Sequence, residues 1–209
     1  MVGAVMKRNI NIAVLVSGGG TNLAALIGAQ QDGRLHSGTL ALVVSNKADA
    51  FALQRAQEAG IPTAVIERKK FADKAAFEEA IVQELERSNI DLIVLAGFMC
   101  ILSEQFTRRY EKRILNVHPS LIPSFCGEGF YGLKVHEAAL AYGVKVTGAT
   151  VHFVNEIPDG GKIILQKAVE VLDGDTPEVL QRRVMEQAEW KILPAATELV
   201  AAELKEKQP

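Results

Sequence analysis

Short apolar runs alternate with stretches of helical periodicity along the first half of the chain. The runs are rich in Val, Ile and Leu and predict strands that are buried on both faces. The clearest amphipathic stretch is Lys74–Ser88, where Phe77, Ile81 and Leu85 fall on one side. Strands alternating with helices indicate right-handed crossovers and a mostly parallel, twisted, Rossmann-like sheet flanked by helices. The predicted strands of this half are Ile10–Val16, Leu40–Val44, Thr63–Ile66, Asp91–Ala96 and Arg113–Val117.

The pattern changes after His118. Residues 119–133 are rich in Gly, Pro and Ser and predict a long irregular loop, which compact domains rarely carry without a use for it. A short helix is expected near Val135–Tyr142. Two β-rich runs then flank a Pro-Asp-Gly-Gly turn and predict a C-terminal hairpin, followed by a closing helix from Pro177 to about Lys205. The chain shows no repeat, linker or low-complexity tract, so residues 1–209 are expected to form a single α/β domain with its core at about 10–200.

Composition and charge exclude several classes of protein. The 209 residues are 48% hydrophobic, which suits a sizeable core, and the formal net charge of −2 argues against nucleic-acid binding. Cys100 and Cys126 are the only cysteines and form no CxxC pair, so neither a disulfide framework nor a zinc site is expected. His36 and His136 look like surface or helix residues, and scattered histidines without acidic partners predict no metal site. Without a signal-peptide pattern or a membrane-length apolar run, the expected location is the cytoplasm.

The stretch Ser17–Asn22 reads SGGGTN and places three glycines between a predicted strand and a predicted helix. One interpretation is a tight turn with Thr21 or Asn22 as the N-cap of the helix. The other is an anion site, because free N–H groups at a helix N-terminus attract phosphate. The GxGxxG and GxxxxGK[ST] patterns are both absent, so a single phosphate monoester is a simpler ligand than a dinucleotide or a triphosphate.

Asn116-Val117-His118 is the triplet that most suggests chemistry. Residues two apart in a strand share a face, so the Asn116 amide and the His118 imidazole are expected side by side, suited to stabilising an oxyanion while moving a proton. A structural histidine is the alternative. Asp159 lies in an ordinary turn sequence, yet a carboxylate close to His118 would raise the pKa of His118 above about 6.5. Ser120 permits a hydrolase triad but lacks the GxSxG elbow, and His152 is expected to be structural.

Six motifs follow one another between about residues 10 and 200: SGGGTNL, VVSNKADAFALQRAQEAGIPT, LAGFMCILS, ILNVHPSLIPSF, KVTGATVHFVNE and DGGKIILQ. Together they resemble the phosphoribosylglycinamide formyltransferase family, the folate-dependent transformylases of purine synthesis. The resemblance implies a formyltransferase fold and small-molecule substrates. It implies transfer of the formyl group of 10-formyltetrahydrofolate to the glycinamide amine of N1-(5-phospho-D-ribosyl)glycinamide in de novo purine (IMP) biosynthesis. Attack would be direct, through a tetrahedral intermediate, without a metal.

The resemblance also implies roles for single residues. Asn116, His118 and Asp159 would be catalytic, with protonated His118 stabilising the oxyanion. Glu189 would hold the substrate ribose, but its alignment needs one extra residue in RVMEQAEW, so Glu186 is an alternative. The substrate phosphate would be held by Gly20, Thr21 and Asn22. The folate-binding residues would be Lys74, Met99, Cys100, Ile101, Leu102 and Asn116.

The chain departs from the family pattern at three places. Cys100 stands where many members carry Arg, Lys162 replaces a Pro after DGG, and the loop SFCGEGFYGLK is longer than in many relatives. Two related enzymes with other acceptors are alternatives. A methionyl-tRNA formyltransferase should carry a basic surface and a further C-terminal domain, and a formyltetrahydrofolate deformylase should carry an N-terminal regulatory domain. A catalytically silent module that binds a sugar phosphate is the alternative outside the enzymes. A monomer or a homodimer is expected.

Overall fold

A computed structural model of the protein describes residues 7–208. The strands are β1 Ile10–Val16, β2 Gly38–Ser45, β3 Thr63–Val65, β4 Leu92–Leu95, β5 Ile114–His118, β6 Val146–Phe153 and β7 Ile163–Glu170. They form one seven-stranded sheet in the order β3-β2-β1-β4-β5-β6-β7. The first five strands are parallel, whereas β6 and β7 are antiparallel to their neighbours. The predicted mostly parallel sheet and C-terminal hairpin are confirmed.

The helices are α1 Thr21–Gln31, α2 Phe51–Glu58, α3 Lys74–Arg87, α4 Glu104–Arg109, α5 Leu133–Tyr142, α6 Pro177–Val184 and α7 Trp190–Glu206. A 3₁₀ turn covers Arg68–Lys70, and a π-helical turn covers Met185–Glu189. The predicted closing helix is therefore interrupted by the π turn. Helix α4 was not predicted, since six residues are too few to show a helical period. No helix within residues 7–208 combines the length and the apolar character needed to cross a membrane.

Strand β1 is buried on both faces, as its continuous apolar sequence predicts. Ile12 and Val14 face a core that also holds residues of α1, α6 and α7. Ala13 and Leu15 face a second core, formed with α3 and α4. The helices therefore cover both sides of the sheet.

The chain reverses its direction across the sheet between β1 and β4. From β1 it moves outward to β2 and β3, and then returns to β4 and β5 on the other side of β1. Crevices at such switch points, outside the carboxyl ends of the strands, are where open α/β sheets bind ligands. The segments after β1 and β4 touch there, because the Met99 amide donates a 2.8 Å hydrogen bond to Ser17 Oγ.

Candidate active site

The glycine turn, residues 17–22, lies at the carboxyl end of β1. Gly20 has a φ of +70° and is the N-cap of α1, which has no side-chain cap. A Cβ at Gly20 would lie 2.6 Å from the Cβ of Ala52, so both backbone conformation and packing require glycine there. The interpretation of Thr21 or Asn22 as the N-cap is wrong, because both lie inside the helix. The first N–H groups of α1 are left without a capping side chain.

Asn22 links the glycine turn to the π turn at the other end of the chain. Its Nδ2 donates a 2.7 Å hydrogen bond to Glu189 Oε2, and both side chains are buried. Burial raises the pKa of Glu189, and the hydrogen bond from Asn22 offsets only part of that rise. Glu186, in contrast, pairs with Arg182 and leaves 44% of its side chain exposed. Glu189 is thus the acidic residue of this segment that contacts the glycine turn.

The π turn gives a physical account of the extra residue in RVMEQAEW. A π turn holds one more residue per turn than an α-helix, and such turns are frequent at functional sites. Residues Met185–Glu189 form this turn between α6 and α7, and Glu189 is its last residue. The additional residue is therefore accommodated within the helix, next to the buried position that Glu189 occupies.

The catalytic cluster, as we call Asn116, His118, His152 and Asp159, lies at the carboxyl end of β5. Asn116 and His118 come from β5, His152 from β6, and Asp159 from the hairpin turn. Asp159 Oδ2 lies 3.5 Å from His118 Nδ1, and Oδ1 lies 3.5 Å from His152 Nε2 and 3.4 Å from Asn116 Nδ2. The fold brings the three predicted catalytic residues into contact and adds His152.

His118 is buried between two acceptors. Its Nε2 lies 2.8 Å from the carbonyl oxygen of Phe125, on the opposite side of the ring from the carboxylate of Asp159. Burial lowers the pKa of His118 and outweighs the charge of Asp159 and the Phe125 carbonyl, which both raise it; His152 lowers it further. The expectation of a raised pKa is therefore wrong, because desolvation disfavours the imidazolium more than one carboxylate favours it.

Asp159 is held in the ionised form. Burial alone would raise its pKa, but contacts with His152 and His118 and the 2.9 Å hydrogen bond from the Gly127 amide to Oδ2 outweigh burial and lower it. Asp159 adopts a φ of +57°, which Asp tolerates better than most residues and which the hairpin turn imposes. The cluster therefore holds a buried carboxylate that faces two imidazole rings.

His152 orients the carboxamide of Asn116. The two residues are direct partners in the antiparallel pairing of β5 and β6, so their side chains share one face. His152 Nδ1 lies 2.8 Å from the Phe153 carbonyl oxygen, and His152 Nε2 lies 3.2 Å from Asn116 Nδ2, which can donate to it when the ring proton is on Nδ1. His152 does form structural hydrogen bonds, as expected, but it forms them with a predicted catalytic residue.

The loop over the cluster is fixed to the C-terminal hairpin. Thr150 Oγ1 donates to the Ser120 carbonyl and accepts from the Ile122 amide, and Gln166 Nε2 donates to both the Ile122 carbonyl and Thr150 Oγ1. Ser120 Oγ donates to the Ser124 carbonyl rather than to His118. These contacts argue against a Ser-His-Asp triad and hold the loop where Phe125 and Gly127 meet the cluster.

The segment expected to contact folate follows β4. Met99 and Ile101 are 55% and 64% exposed, whereas Leu102 is buried. The thiol of Cys100 receives a 3.0 Å hydrogen bond from Asn46 Nδ2, which reaches it from the end of β2. Exposed apolar side chains beside a cluster of polar groups are typical of a surface that receives a flat apolar ligand.

Lys74 begins α3 and lines an open groove of about 510 Å³ between α3 and α4. Glu78 and Ser103 line the same groove, and the Ser103 amide donates a 2.8 Å hydrogen bond to Glu78 Oε1. Lys74 Nζ lies 3.8 Å from that oxygen. The lining contains no member of the catalytic cluster, so Lys74 is next to the end of the folate segment and apart from the chemistry.

Several residues of the site were not predicted from the sequence. His152, Phe125 and Gly127 contact the predicted trio, and Arg55 contacts the glycine turn. Of these residues, only His152 could have been predicted from the sequence. Antiparallel pairing of the VHFV strand with the NVH strand would have placed His152 opposite Asn116. The other three depend on loop and helix positions that show no pattern.

His136 lies in helix α5, in agreement with the expectation of a surface or helix residue. It is completely buried, and neither of its ring nitrogens has a hydrogen-bond partner among residues 7–208. Burial lowers the pKa of His136 to about 4, and His118 contributes to the fall. Within residues 7–208, no group of three or more His, Cys, Asp and Glu side chains could hold a metal ion.

Comparisons with known proteins agree with this geometry. Residues 10–197 match the Formyl transferase family. The trifunctional purine biosynthetic protein adenosine-3 of Gallus gallus is 47% identical over 200 residues, which cover 96% of this chain and 19% of that protein. The chain thus spans about a fifth of the length of this relative.

Two further relatives are closer to this chain in length. Phosphoribosylglycinamide formyltransferase of Haemophilus influenzae is 45% identical over 183 residues, which cover 88% of this chain and 83% of that protein. The crystal structure of glycinamide ribonucleotide transformylase 1 from Symbiobacterium toebii has a TM-score of 0.87 at 42% identity. That match covers 93% of this chain and 89% of that one.

Proposed function

This chain belongs to the formyl transferase family, and we propose on that premise that it transfers a formyl group from 10-formyltetrahydrofolate to the amine of N1-(5-phospho-D-ribosyl)glycinamide. The product would be the formylated ribonucleotide of purine biosynthesis. The observation that carries the proposal is the contact of Asn116, His118 and Asp159 at the carboxyl end of β5, in the same mostly parallel sheet whose strand β1 ends at the glycine turn. No single element of the chain could provide this combination.

The ribonucleotide would bind at the glycine turn. Its phosphate would accept hydrogen bonds from the N–H groups of Gly20, Thr21 and Asn22, where the positive end of the α1 dipole also favours an anion. Glu189 would accept hydrogen bonds from the ribose hydroxyls. Its contact with Asn22 supports Glu189 over Glu186 for this role. A buried carboxylate that is already desolvated loses little more solvation when the sugar binds.

The folate donor would bind along Met99–Leu102. The exposed side chains of Met99 and Ile101 offer apolar contact, and the backbone of the segment offers hydrogen bonds. Cys100 removes the charge that many family members place here, so Lys74 is the cation of the proposed folate set. Asn116 lies where both substrates would meet.

Asn116 and His118 would stabilise the oxygen that gains negative charge as the amine attacks the formyl carbon. The carboxamide is already aligned by His152, and His118 Nε2 would exchange the Phe125 carbonyl for the formyl oxygen. Donors fixed in this way typically lower a barrier by about 2.7–4 kcal/mol. Because the pKa of His118 is lowered in the free protein, we propose that the imidazolium forms only as the oxyanion develops.

Asp159 would support that imidazolium and carry the proton of the attacking amine. Asp159 faces His118 Nδ1. A proton released by the amine can pass through water to the pair of Asp159 and His118, and from this pair it would reach the departing nitrogen of the folate donor. The proton lost by the acceptor is thus the proton gained by the leaving group. No bond to the protein forms at any step.

An assay with the ribonucleotide and 10-formyltetrahydrofolate tests the proposal. We expect tetrahydrofolate to appear in equal amount with the formylated ribonucleotide and only when the acceptor is present. Release of tetrahydrofolate without the acceptor would identify a deformylase instead. Binding of the ribonucleotide without any turnover would identify a silent sugar-phosphate module. The cytoplasmic location, the boundaries of the domain and the monomeric or homodimeric state stay predictions from the sequence.

A further inference from the structure

The N-terminal turn of α2 supports the glycine turn at three points. The Ala52 amide donates a 3.0 Å hydrogen bond to the Gly18 carbonyl, and Arg55 Nε donates a 2.9 Å hydrogen bond to the Gly19 carbonyl. The Cβ of Ala52 fills the space beside Gly20. Two consecutive carbonyl groups of the glycine turn are therefore fixed from one side, by donors of the same helix.

These contacts fix the direction of the N–H groups of Gly19 and Gly20, because the peptide bond is planar. In a trans peptide the carbonyl of one residue and the N–H of the next point in opposite directions. With the Gly18 and Gly19 carbonyls held by α2, the N–H groups of Gly19 and Gly20 point away from α2. Neither N–H has a hydrogen-bond acceptor among the residues that the structure describes. A side chain added at Gly18 or Gly19 would meet nothing within 4 Å.

Arg55 is itself fixed by its own helix. The guanidinium carbon lies 4.8 Å from the centroid of the Phe51 ring, one helical turn away. Nε bonds the Gly19 carbonyl, and within residues 7–208 no carboxylate forms an ion pair with this guanidinium. A cationic side chain is thus held against the backbone of the turn, and its two terminal nitrogens form no hydrogen bond or ion pair in the described part of the chain.

We propose that Arg55 is a positioning residue of the phosphate site: its Nε–H holds the Gly19 carbonyl and thereby aims the Gly20 N–H at the substrate's phosphate. This inference rests on the proposed function, because it assigns the ligand of the turn to a phosphate monoester. Arg55 acts through the Gly19 peptide and not by contact with the reacting atoms. Its loss should therefore affect ribonucleotide binding and leave the chemical step unchanged.

Two substitutions separate the hydrogen bond from the rest of the side chain. Gln places its Nε2 the same number of bonds from the backbone as Arg places Nε, so Arg55→Gln keeps a donor for the Gly19 carbonyl. Arg55→Met keeps the apolar stem but has no donor, and both variants lack the charge. We expect Arg55→Met to raise the KM for the ribonucleotide about five- to tenfold, the size expected for one lost hydrogen bond. Arg55→Gln should stay within about threefold of wild type.

Calorimetric titration with ribose 5-phosphate, with ribose as the phosphate-free probe, measures the same effect without turnover. In Arg55→Met the Kd for ribose 5-phosphate should rise in parallel with KM, while kcat and the KM for the folate donor stay within twofold. Gln54→Met is the matched control, since Gln54 precedes Arg55 and donates a hydrogen bond to Glu58 on the exposed side of α2. If thermal stability falls only in Arg55→Met, the affinities of the two variants are compared at a temperature at which both are folded.

Two results would overturn the inference. Equal losses in Arg55→Met and Arg55→Gln would show that charge, and not the hydrogen bond to Gly19, is what matters. Wild-type affinity in both variants would show that the turn needs no support from Arg55. A wild-type chain that binds ribose 5-phosphate but transfers no formyl group would refute the proposed function, and the comparison of the two variants in the titration would still decide the role of Arg55.

Discussion

The glycine turn and the catalytic cluster present polar groups in opposite ways. The turn consists of six consecutive residues and offers backbone N–H groups that carry no titratable proton. The cluster joins side chains from β5, β6 and the hairpin turn, and it contains two imidazoles, one carboxylate and one carboxamide. The turn is open, with nothing within 4 Å of a side chain added at Gly18 or Gly19, whereas His118 and His152 are buried.

This difference separates binding from chemistry. The backbone groups of the proposed phosphate site would keep their hydrogen-bonding capacity at every pH at which the chain is folded. Buried ionisable groups such as His118 and Asp159 change their charge with pH and with every ligand that alters their solvation. Changes at the turn should therefore appear in KM for the ribonucleotide, and changes in the cluster should appear in kcat.

The largest expected effect is on the chemical step. Asp159→Asn keeps the shape of the side chain but removes the charge that faces His118 and His152. We expect kcat to fall by about two to four orders of magnitude, the range seen when a carboxylate that orients a catalytic imidazole becomes an amide. The KM for the ribonucleotide should change by no more than a few fold. Steady-state kinetics with both substrates measure both quantities.

Asp173→Asn serves as the matched control for this change, because Asp173 is exposed and its side chain pairs with Lys145 at the surface. An NMR titration should also show the pKa of His118 falling further in Asp159→Asn, since Asp159 raises it in the wild type. A kcat within a few fold of wild type would remove Asp159 from the mechanism and leave it a turn residue.

A second effect concerns acid stability near the cluster. The pKa of His136 is about 4 in the folded chain, whereas the pKa of an exposed histidine is 6.5. Below pH 6.5 the unfolded chain therefore binds a proton at His136 that the folded chain does not bind. Stability is therefore complete above pH 6.5 and is lost as the pH falls toward 4. The loss should be on the order of 3 kcal/mol. Urea denaturation at several pH values measures it.

His136→Leu should flatten this pH dependence, because Leu fills the buried site without a group to protonate. His36→Leu is the control, since His36 is exposed and pairs with Glu198 at the surface. An unchanged slope in His136→Leu would assign the acid sensitivity to other groups, with His118 next, because its pKa is also lowered by burial.

The third effect tests Glu189, the residue proposed to bind the ribose of the ribonucleotide. Glu189→Gln keeps a hydrogen-bond acceptor for Asn22 but removes the charge proposed to bind the ribose hydroxyls. We expect the KM for the ribonucleotide to rise by a factor of about ten to one hundred, as for lost hydrogen bonds to a charged group. Glu186→Gln should change it less than twofold. A reversed order in the two variants would exchange their roles.

The smallest effect separates folding from binding within the glycine turn. Gly20→Ala should reduce the free energy of unfolding by about 1–2 kcal/mol, because Ala is strained at a φ of +70° and would clash with Ala52. Gly19→Ala should fold normally, since its methyl group would enter open space. It should raise the KM for the ribonucleotide several fold, because that space is the proposed phosphate site. Thermal denaturation and kinetics on both variants test this. Loss of stability in Gly19→Ala would argue against an open site.

The sequence by itself determined the order of the strands and the nature of one of the two regions, the glycine turn. Continuous Val and Ile runs require strands buried on both faces, and their alternation with helices requires parallel pairing. The glycine turn could also be predicted as a candidate anion site, because all of its residues are consecutive in the chain. Asn116 and His118 share a face through the two-residue period of a strand, and this too is a local property.

Only the tertiary structure decided the contacts between distant elements and their energetics. The pairing of Asn116 with His152 depends on the register of β5 against β6, which neither strand specifies alone. The packing of the 119–132 loop places Phe125 against His118 and Gly127 against Asp159, two of the predicted catalytic residues. The direction of the pKa shift of His118 depended on how much desolvation that packing causes, and desolvation is a property of the assembled surroundings that no local pattern records.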